Sequence, residues 1–182
     1  MSEALYIDDP DGNGVELYWD RPADQWPPPA DGMITPMATL PVDLHALLDE
    51  GRGAAAVAEA APDDTDVGHV HLQVSDVDAT TRFYRDVIGL DVTAHLGSSA
   101  AFFSSNGYHH NIGTNTWRSR GAKPSPKDHA GLDRVVFGVT DGDALAELRE
   151  PMRASDASWS DDAGEVVVTD PDGIELRFFA AR

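Results

Sequence analysis

The chain has 182 residues with 32 acidic and 13 basic side chains, a formal net charge of −19, and no cysteine. This charge repels phosphate backbones, and the apolar stretches fall short of the roughly 20 residues of a membrane-spanning helix, so nucleic-acid and membrane partners are excluded. Any metal site must use histidine and carboxylate ligands, because no thiolate is present.

The acidic composition has a particular pattern. Aspartate outnumbers glutamate by 24 to 8, and lysine occurs only at Lys123 and Lys127. High salt screens the self-repulsion of such a surface, and short hydrated carboxylates keep the chain soluble there. We interpret the composition as typical of a halophilic protein, or else simply of an acidic one. No basic and then apolar signal segment follows Met1, which favours a cytoplasmic location.

Two similar segments lie near the two ends of the chain, DPDGNGVELYW at residues 9–19 and DPDGIELRFF at residues 170–179. Each predicts a tight turn that leads into a strand, because proline and glycine favour the turn and an alternating apolar pattern follows it. Glu175 then shares a strand face with Arg177 and Phe179, and Glu16 takes the same place in the first copy. The repetition indicates an internal duplication in which the chain begins near the end of a repeat unit.

Between these segments, residues 22–41 hold six of the twelve prolines and predict an extended connector. A helix is predicted from Val42 to Leu48, and an Ala-rich run follows Gly53.

From Gly68 the pattern predicts one order of elements twice, a strand, a helix and three further strands. In the first copy Asp76 or Asp78 caps the helix and a fourth strand begins near Tyr108. In the second copy a helix over residues 141–149 separates a first strand from three others at residues 155–159, 165–170 and 174–179. The fold class is therefore α+β, with paired βαβββ units that form one curved-sheet module.

This order, with a histidine early in the first strand and a glutamate in the last, resembles the vicinal oxygen chelate superfamily. The likeness is closer to two-module extradiol dioxygenases of the catechol 2,3-dioxygenase type. The residues that carry it are SEALYIDDPDGNGVELYWDRP with Trp26, GHVHLQVSDV with FYRDVIGLDV, and SSNGYHHNIGTNTW. The resemblance implies a remnant closing strand of a first module at residues 1–22, a connector with a linker helix at 23–66, and a complete module at 67–182.

The same resemblance implies a metal-dependent, extradiol-type, ring-cleaving dioxygenase, or the C-terminal part of one. Its substrates would be a small catechol-like aromatic and dioxygen, and its metal Fe(II) or Mn(II), which a site of two histidines and one carboxylate suits. Carried over by position, the ligands of the second module fall on His69, Arg134 and Glu175. Glu16 is similar to the carboxylate ligand of a first module whose histidines the chain does not contain.

Arg134 departs from the family pattern, which has a histidine at this position. A guanidinium stays protonated and has no lone pair for a metal. Arg134 pairing with Glu175 across the sheet is one interpretation, and replacement of the missing ligand by His129 or His71 is another. His69 and His71 share one strand face, either as the polar wall of a cavity or as incidental exposed histidines.

Three further site candidates, Tyr108, His109 and His110, lie in the YHH string. We expect them on a strand, where only one of two neighbouring histidines faces the cavity. Resemblance to extradiol enzymes favours His110 as the acid/base group, with Tyr108 on the same face orienting the substrate or merely packing. Imidazole titrates near neutrality and suits proton transfer. Hydrogen bonding to Asn111 or Asn115 is the structural alternative, and Phe102 is interpreted as packing.

Two alternative functions remain open. One is a non-catalytic small-molecule-binding module, and the other is a glyoxalase- or epimerase-like lyase activity. An unpaired edge of the predicted strand at residues 15–19 also favours a homodimer, since such edges invite association.

Overall fold

The computed structural model describes residues 1–30, 33, 39–52, 61–126 and 128–181. The chain divides into two compact units, Met1–Gly68 and His69–Arg182. The Ala-rich run that follows Gly53 and part of the proline-rich connector lie outside the described residues.

The first unit contains an antiparallel hairpin of β1 (Ser2–Asp8) and β2 (Gly14–Asp20). A short 3-10 turn at Ala23–Gln25 follows, and α1 spans Leu44–Gly51. The Asp43 side chain caps the start of this helix by accepting hydrogen bonds from the amides of His45 and Ala46. The predicted strand after the first DPDG turn and the predicted helix are confirmed.

The second unit contains the order β–α–β–β–β twice. In the first repeat, α2 continues into a π-helical turn at Phe83–Val87, and the Asp76 side chain caps its start by accepting from the Ala79 amide. The elements of the first repeat are β3 (Val70–Gln73), α2 (Val77–Arg82), β4 (Asp91–Leu96), β5 (Ala100–Ser104) and β6 (Ile112–Asn115). Those of the second repeat are β7 (Arg134–Val139), α3 (Gly142–Arg153), β8 (Trp159–Asp162), β9 (Glu165–Thr169) and β10 (Glu175–Ala180).

The two repeats have the same sheet topology. The strand orders are β3-β6-β5-β4 and β7-β10-β9-β8. In each sheet the first strand pairs in parallel with the last, and the remaining neighbours pair antiparallel. The α+β fold class with paired βαβββ units is therefore confirmed.

Three predicted element boundaries are wrong. The fourth strand of the first repeat begins at Ile112, not near Tyr108. Helix α3 continues to Arg153 and does not end at residue 149, and β8 begins at Trp159 and not at residue 155. The physical reason for the last shift is that Ser155 terminates the helix, since its amide and hydroxyl both donate to the Met152 carbonyl.

The strands divide into a buried apolar face and a polar face, as their alternation predicts. In β3 and just beyond it, Leu72 and Val74 are buried while His71 and Gln73 are exposed. Buried apolar side chains of both repeats form one continuous cluster, so the two sheets share a core.

A buried polar contact joins the two repeats. The Tyr84 hydroxyl, on the helical segment of the first repeat, donates to Asp170 Oδ2 at 3.2 Å, and Asp170 begins the DPDG turn of the second repeat. Asp170 Oδ1 accepts from the amides of Asp172 and Ile174, both at 2.9 Å. In the same turn, Asp172 Oδ1 accepts from the Ser75 amide at 2.9 Å. The turn is thus fixed both within its own hairpin and to the other repeat.

The Asp170 carboxyl is expected to give the protein a distinct pH dependence of stability. Burial raises its pKa above the ordinary value of 3.8, although the amide hydrogen bonds oppose the shift. Between the ordinary pKa, which applies to the unfolded chain, and the raised pKa of the folded protein, the folded state therefore binds more protons than the unfolded state. The contribution of Asp170 to stability falls as pH rises through this interval. Asparagine cannot titrate. The free energy of unfolding of wild type minus that of Asp170→Asn, from urea titrations, should decline above pH 3.8 and then level off. A difference that rises with pH would contradict this assignment.

No helix among the described residues is long and apolar enough to cross a membrane.

Candidate functional site

Three histidines of the first repeat form a compact cluster. The ring centroids of His69 and His110 are 4.4 Å apart, and those of His69 and His109 are 6.3 Å apart. The Nδ1 atoms of His109 and His110 approach to 2.8 Å, so one imidazole donates a hydrogen bond and the other accepts it. The structure therefore brings together three of the sequence-predicted site residues.

A loop, and not a strand, presents His109 and His110. Gly107 has a φ of 75°, which a glycine adopts readily. Ser104 Oγ lies 2.9 Å from Oδ1 of both Asn106 and Asn111, and Thr93 Oγ1 donates to the His109 carbonyl at 2.6 Å.

The expectation that the two histidines face opposite sides is therefore wrong, because strand alternation does not apply to this loop. Both are buried, with exposures of 2% and 7%. Tyr108 stacks on His109 with ring centroids 4.0 Å apart, so it lies beside the cluster.

The Phe102 ring packs next to the histidine cluster. Its ring centroid lies 5.0 Å from that of His110 and 6.0 Å from that of His71, in edge-on arrangements. Phe102 and His71 are both register neighbours of Gly113, so the sheet pairing places them on one face. A Cβ at Gly113 would lie 3.0 Å from His71 Nδ1, so glycine permits this close approach.

Sequence analysis interpreted Phe102 as packing, and its 5% exposure agrees with that interpretation, but its contact with His110 was not predicted. Its position opposite a glycine in the neighbouring strand was the signal that could have identified it.

Glu175 belongs to a separate cluster of charged side chains in the second repeat. Arg177 Nε contacts Glu175 Oε1 at 2.7 Å, and Arg134 Nε lies 4.0 Å from the same oxygen. The hydrogen bond to Glu175 raises the pKa of Arg177, so its guanidinium stays protonated. Arg134 also contacts Asp133 at 2.7 Å. The predicted pairing of Arg134 with Glu175 is present as a long contact, while Arg177 is the nearer partner.

Arg134 is the counterpart of His69 in the second repeat. Each lies seven residues before the aspartate that caps the following helix, His69 before Asp76 and Arg134 before Asp141. Its guanidinium has no lone pair to offer a metal.

The residues of the second module therefore do not fit a site of two histidines and one carboxylate. Glu175, the expected carboxylate ligand, is in contact with two guanidinium groups. Within the described ranges, no group of three or more His, Asp or Glu side chains is arranged to hold a metal ion.

Glu16, the carboxylate assigned by resemblance to a first module, lies on β2 in the first unit. The Tyr6 hydroxyl donates to Glu16 Oε1 at 2.6 Å. Partial burial, together with this hydrogen bond and the nearby negative charge, raises the pKa of Tyr6 to about 12. Glu16 is thus engaged within its own hairpin.

Comparison with known proteins finds a relative whose name states an activity. The chain is 46% identical over 172 residues to catechol-2,3-dioxygenase of Bacillus subtilis (strain 168), covering 94% of this chain. It spans 59% of that relative's length.

One solved structure supports the fold. A glyoxylase/bleomycin resistance protein/dioxygenase domain from Frankia sp. EAN1pec has a TM-score of 0.52 at 22% identity, covering 65% of this chain and 98% of that one. A lactoylglutathione lyase from Agrobacterium tumefaciens has a TM-score of 0.49 at 18% identity, covering 64% and 94%. The model of the Glyoxalase/Bleomycin resistance protein/Dioxygenase superfamily matches residues 66–178. This match covers more than half of the chain, so the chain belongs to this superfamily.

Proposed function

We propose that the chain binds a catechol-like aromatic compound at the histidine cluster, as an extradiol-dioxygenase-type module that needs no metal ion for this binding. The observation that carries the proposal is the cluster itself, His69, His109 and His110 against the Phe102 ring. The likeness to a catechol-2,3-dioxygenase supports the substrate class. The guanidinium groups around Glu175 support binding without a metal.

The chemistry of the cluster suits a phenolic ligand. An imidazole exchanges a proton near neutral pH and hydrogen-bonds a hydroxyl group in either direction. A buried setting strengthens such a bond, because the local dielectric is lower than that of water. The Phe102 ring offers an aromatic ligand an edge-on or offset-stacked contact. His110 touches both the other histidines and Phe102, so we assign it the central role, to hold the ligand hydroxyl and accept its proton.

Extradiol ring cleavage with dioxygen is the second candidate function, and the identity to the Bacillus subtilis relative favours it. Enzymes of this type use a divalent metal, Fe(II) or Mn(II), with open coordination positions. The described residues of this chain do not assemble its ligands. Ring cleavage therefore requires ligands from elsewhere, and the chain corresponds to about three-fifths of the relative's length. The similarity to a lactoylglutathione lyase is below 25% identity and is a likeness of fold alone.

His110→Ala tests the proposed binding site. We expect the Kd for catechol, measured by calorimetry in high salt, to rise at least about tenfold, because the variant loses the hydrogen-bonding group and its ring contacts. His45→Ala is the matched control, since His45 is an exposed histidine on α1, in the other unit, and its loss should leave the Kd unchanged. Equal effects of the two substitutions, or no catechol binding by the wild type, would refute the proposal.

A further inference from the structure

The dipeptide Asn-Gly occurs twice in the chain, at Asn13 and Gly14 and again at Asn106 and Gly107. Asparagine is a chemically labile residue, and a following glycine has no side chain to hinder attack by its own backbone nitrogen on the asparagine amide. Both asparagines are exposed, so water reaches them. The two sites therefore share their sequence and their access to solvent, and local structure distinguishes them.

At Asn106 the side-chain carbonyl is held towards the glycine. Asn106 Oδ1 accepts a hydrogen bond from the Tyr108 amide at 3.2 Å, which closes a turn that contains the Gly107 amide. Ser104 Oγ lies 2.9 Å from the same oxygen, within donating distance. Hydrogen-bond donors on a carbonyl oxygen stabilise the negative charge that forms there when a nucleophile adds to the carbon. The Asn106 carbonyl is therefore activated at the carbon that deamidation attacks.

The nitrogen of Gly107 is placed to be that nucleophile. Its amide donates no hydrogen bond to any residue that the structure describes. A Cβ added at Gly107 would meet no atom within 4 Å, so the space beside this backbone is open. The nitrogen is thus neither engaged by the fold nor covered by a neighbouring side chain.

Asn13 has the opposite arrangement. Its Nδ2 donates to Asp9 Oδ2 and its backbone amide donates to Asp9 Oδ1, both at 2.8 Å. Gly14 begins β2 and is the register partner of Asp8. The Asp9 carboxylate therefore holds the amide group of Asn13 back within the turn and restrains it from reaching the Gly14 nitrogen.

We propose that Asn106 is a modification site, at which spontaneous deamidation yields aspartate or isoaspartate, and that the fold protects Asn13. Hydroxide removes the proton of the Gly107 amide, and this nitrogen forms a bond to Asn106 Cγ. The bond from Cγ to Nδ2 then breaks, and Nδ2 leaves as ammonia with a proton from water. Water opens the resulting cyclic imide at either carbonyl. Isoaspartate lengthens the backbone between Ser104 and His109 by a methylene group, so the modification alters the loop that presents the histidine cluster.

Ageing of the full-length protein in mildly alkaline, heavy-oxygen water tests the proposal, since the label enters each new carboxyl group. Tandem mass spectrometry of proteolytic peptides then measures the rate at each asparagine. We expect Asn106 to react at least about tenfold faster than Asn13, because its carbonyl is oriented and activated. In urea, which removes the folded structure, the two rates should become similar. Asp9→Ala releases the Asn13 side chain and should speed its reaction while leaving the rate at Asn106 unchanged.

Three results would overturn the proposal. The first is an equal rate at the two asparagines in the folded protein. The second is a difference between them that persists in urea, which would assign it to sequence and not to structure. The third is an unchanged rate at Asn13 in the Asp9→Ala variant. Circular dichroism during the incubation checks that each protein without urea stays folded.

Discussion

Replacing Arg134 by histidine is expected to create a divalent-metal site that the described residues of the wild type do not form. The substitution removes the more distant of the two guanidinium groups at Glu175, at 4.0 Å, leaves Arg177 at 2.7 Å, and puts a lone-pair donor at the repeat counterpart of His69. By resemblance to extradiol enzymes, His69, the new imidazole and Glu175 would then supply two histidines and a carboxylate. Equilibrium dialysis against Mn(II) should give about one equivalent bound per chain, against a small fraction for the wild type.

Two further variants give this test its controls. Arg134→Gln removes the same charge without supplying an imidazole, and it should bind no more Mn(II) than the wild type. His69→Ala in the histidine variant should abolish the new site. The account fails if the wild type retains stoichiometric Mn(II), or if the glutamine and histidine variants gain metal equally.

A large loss of stability is expected from Asp170→Ala. Asp170 is 4% exposed, and its carboxylate accepts from two backbone amides and from the buried Tyr84 hydroxyl. Alanine leaves these three donors without their partner in the core. Because each buried donor left unsatisfied costs about 1–3 kcal/mol, and relaxation recovers part of the loss, we expect the free energy of unfolding to fall by about 3 kcal/mol. Urea unfolding followed by circular dichroism measures it.

Asp9→Ala is the matched control for this loss. Asp9 accepts from two backbone amides of its turn, as Asp170 does, but its third donor is the Asn13 side chain and not a buried tyrosine, and its bonds lie at the surface. The pKa of Asp9 is lowered, chiefly by hydrogen bonds from Asn13, in contrast to the raised pKa of Asp170. We expect a much smaller loss of stability. Similar losses in the two variants would mean that the turn itself, and not the contact between repeats, accounts for the effect.

Sequence reasoning succeeded where short-range patterns determine the structure. The alternation in β3 and β10 identified which side chains face the core, and the DPDG motifs identified two turns that share the hydrogen bonds from backbone amides to the first aspartate. The repeated order of strands and helices followed from the same patterns.

Contacts between distant residues could not be predicted in this way. The bond between Tyr84 and Asp170 joins residues 86 positions apart. The loop that holds His109 and His110 depends on hydrogen bonds between side chains such as Ser104 and Asn106, and no propensity encodes these. The contact between Arg177 and Glu175 could have been predicted, because residues two positions apart on a strand share a face.

The most direct test of the proposed function is a calorimetric titration of catechol into the wild-type protein, once with a chelator and once with Mn(II). Oxygen consumption is followed in parallel. We predict the same Kd in both conditions and no catechol-dependent oxygen uptake, because the histidine cluster and Phe102 bind the aromatic without a metal. Binding that occurs only with the metal, accompanied by oxygen uptake, would contradict the account and favour ring cleavage.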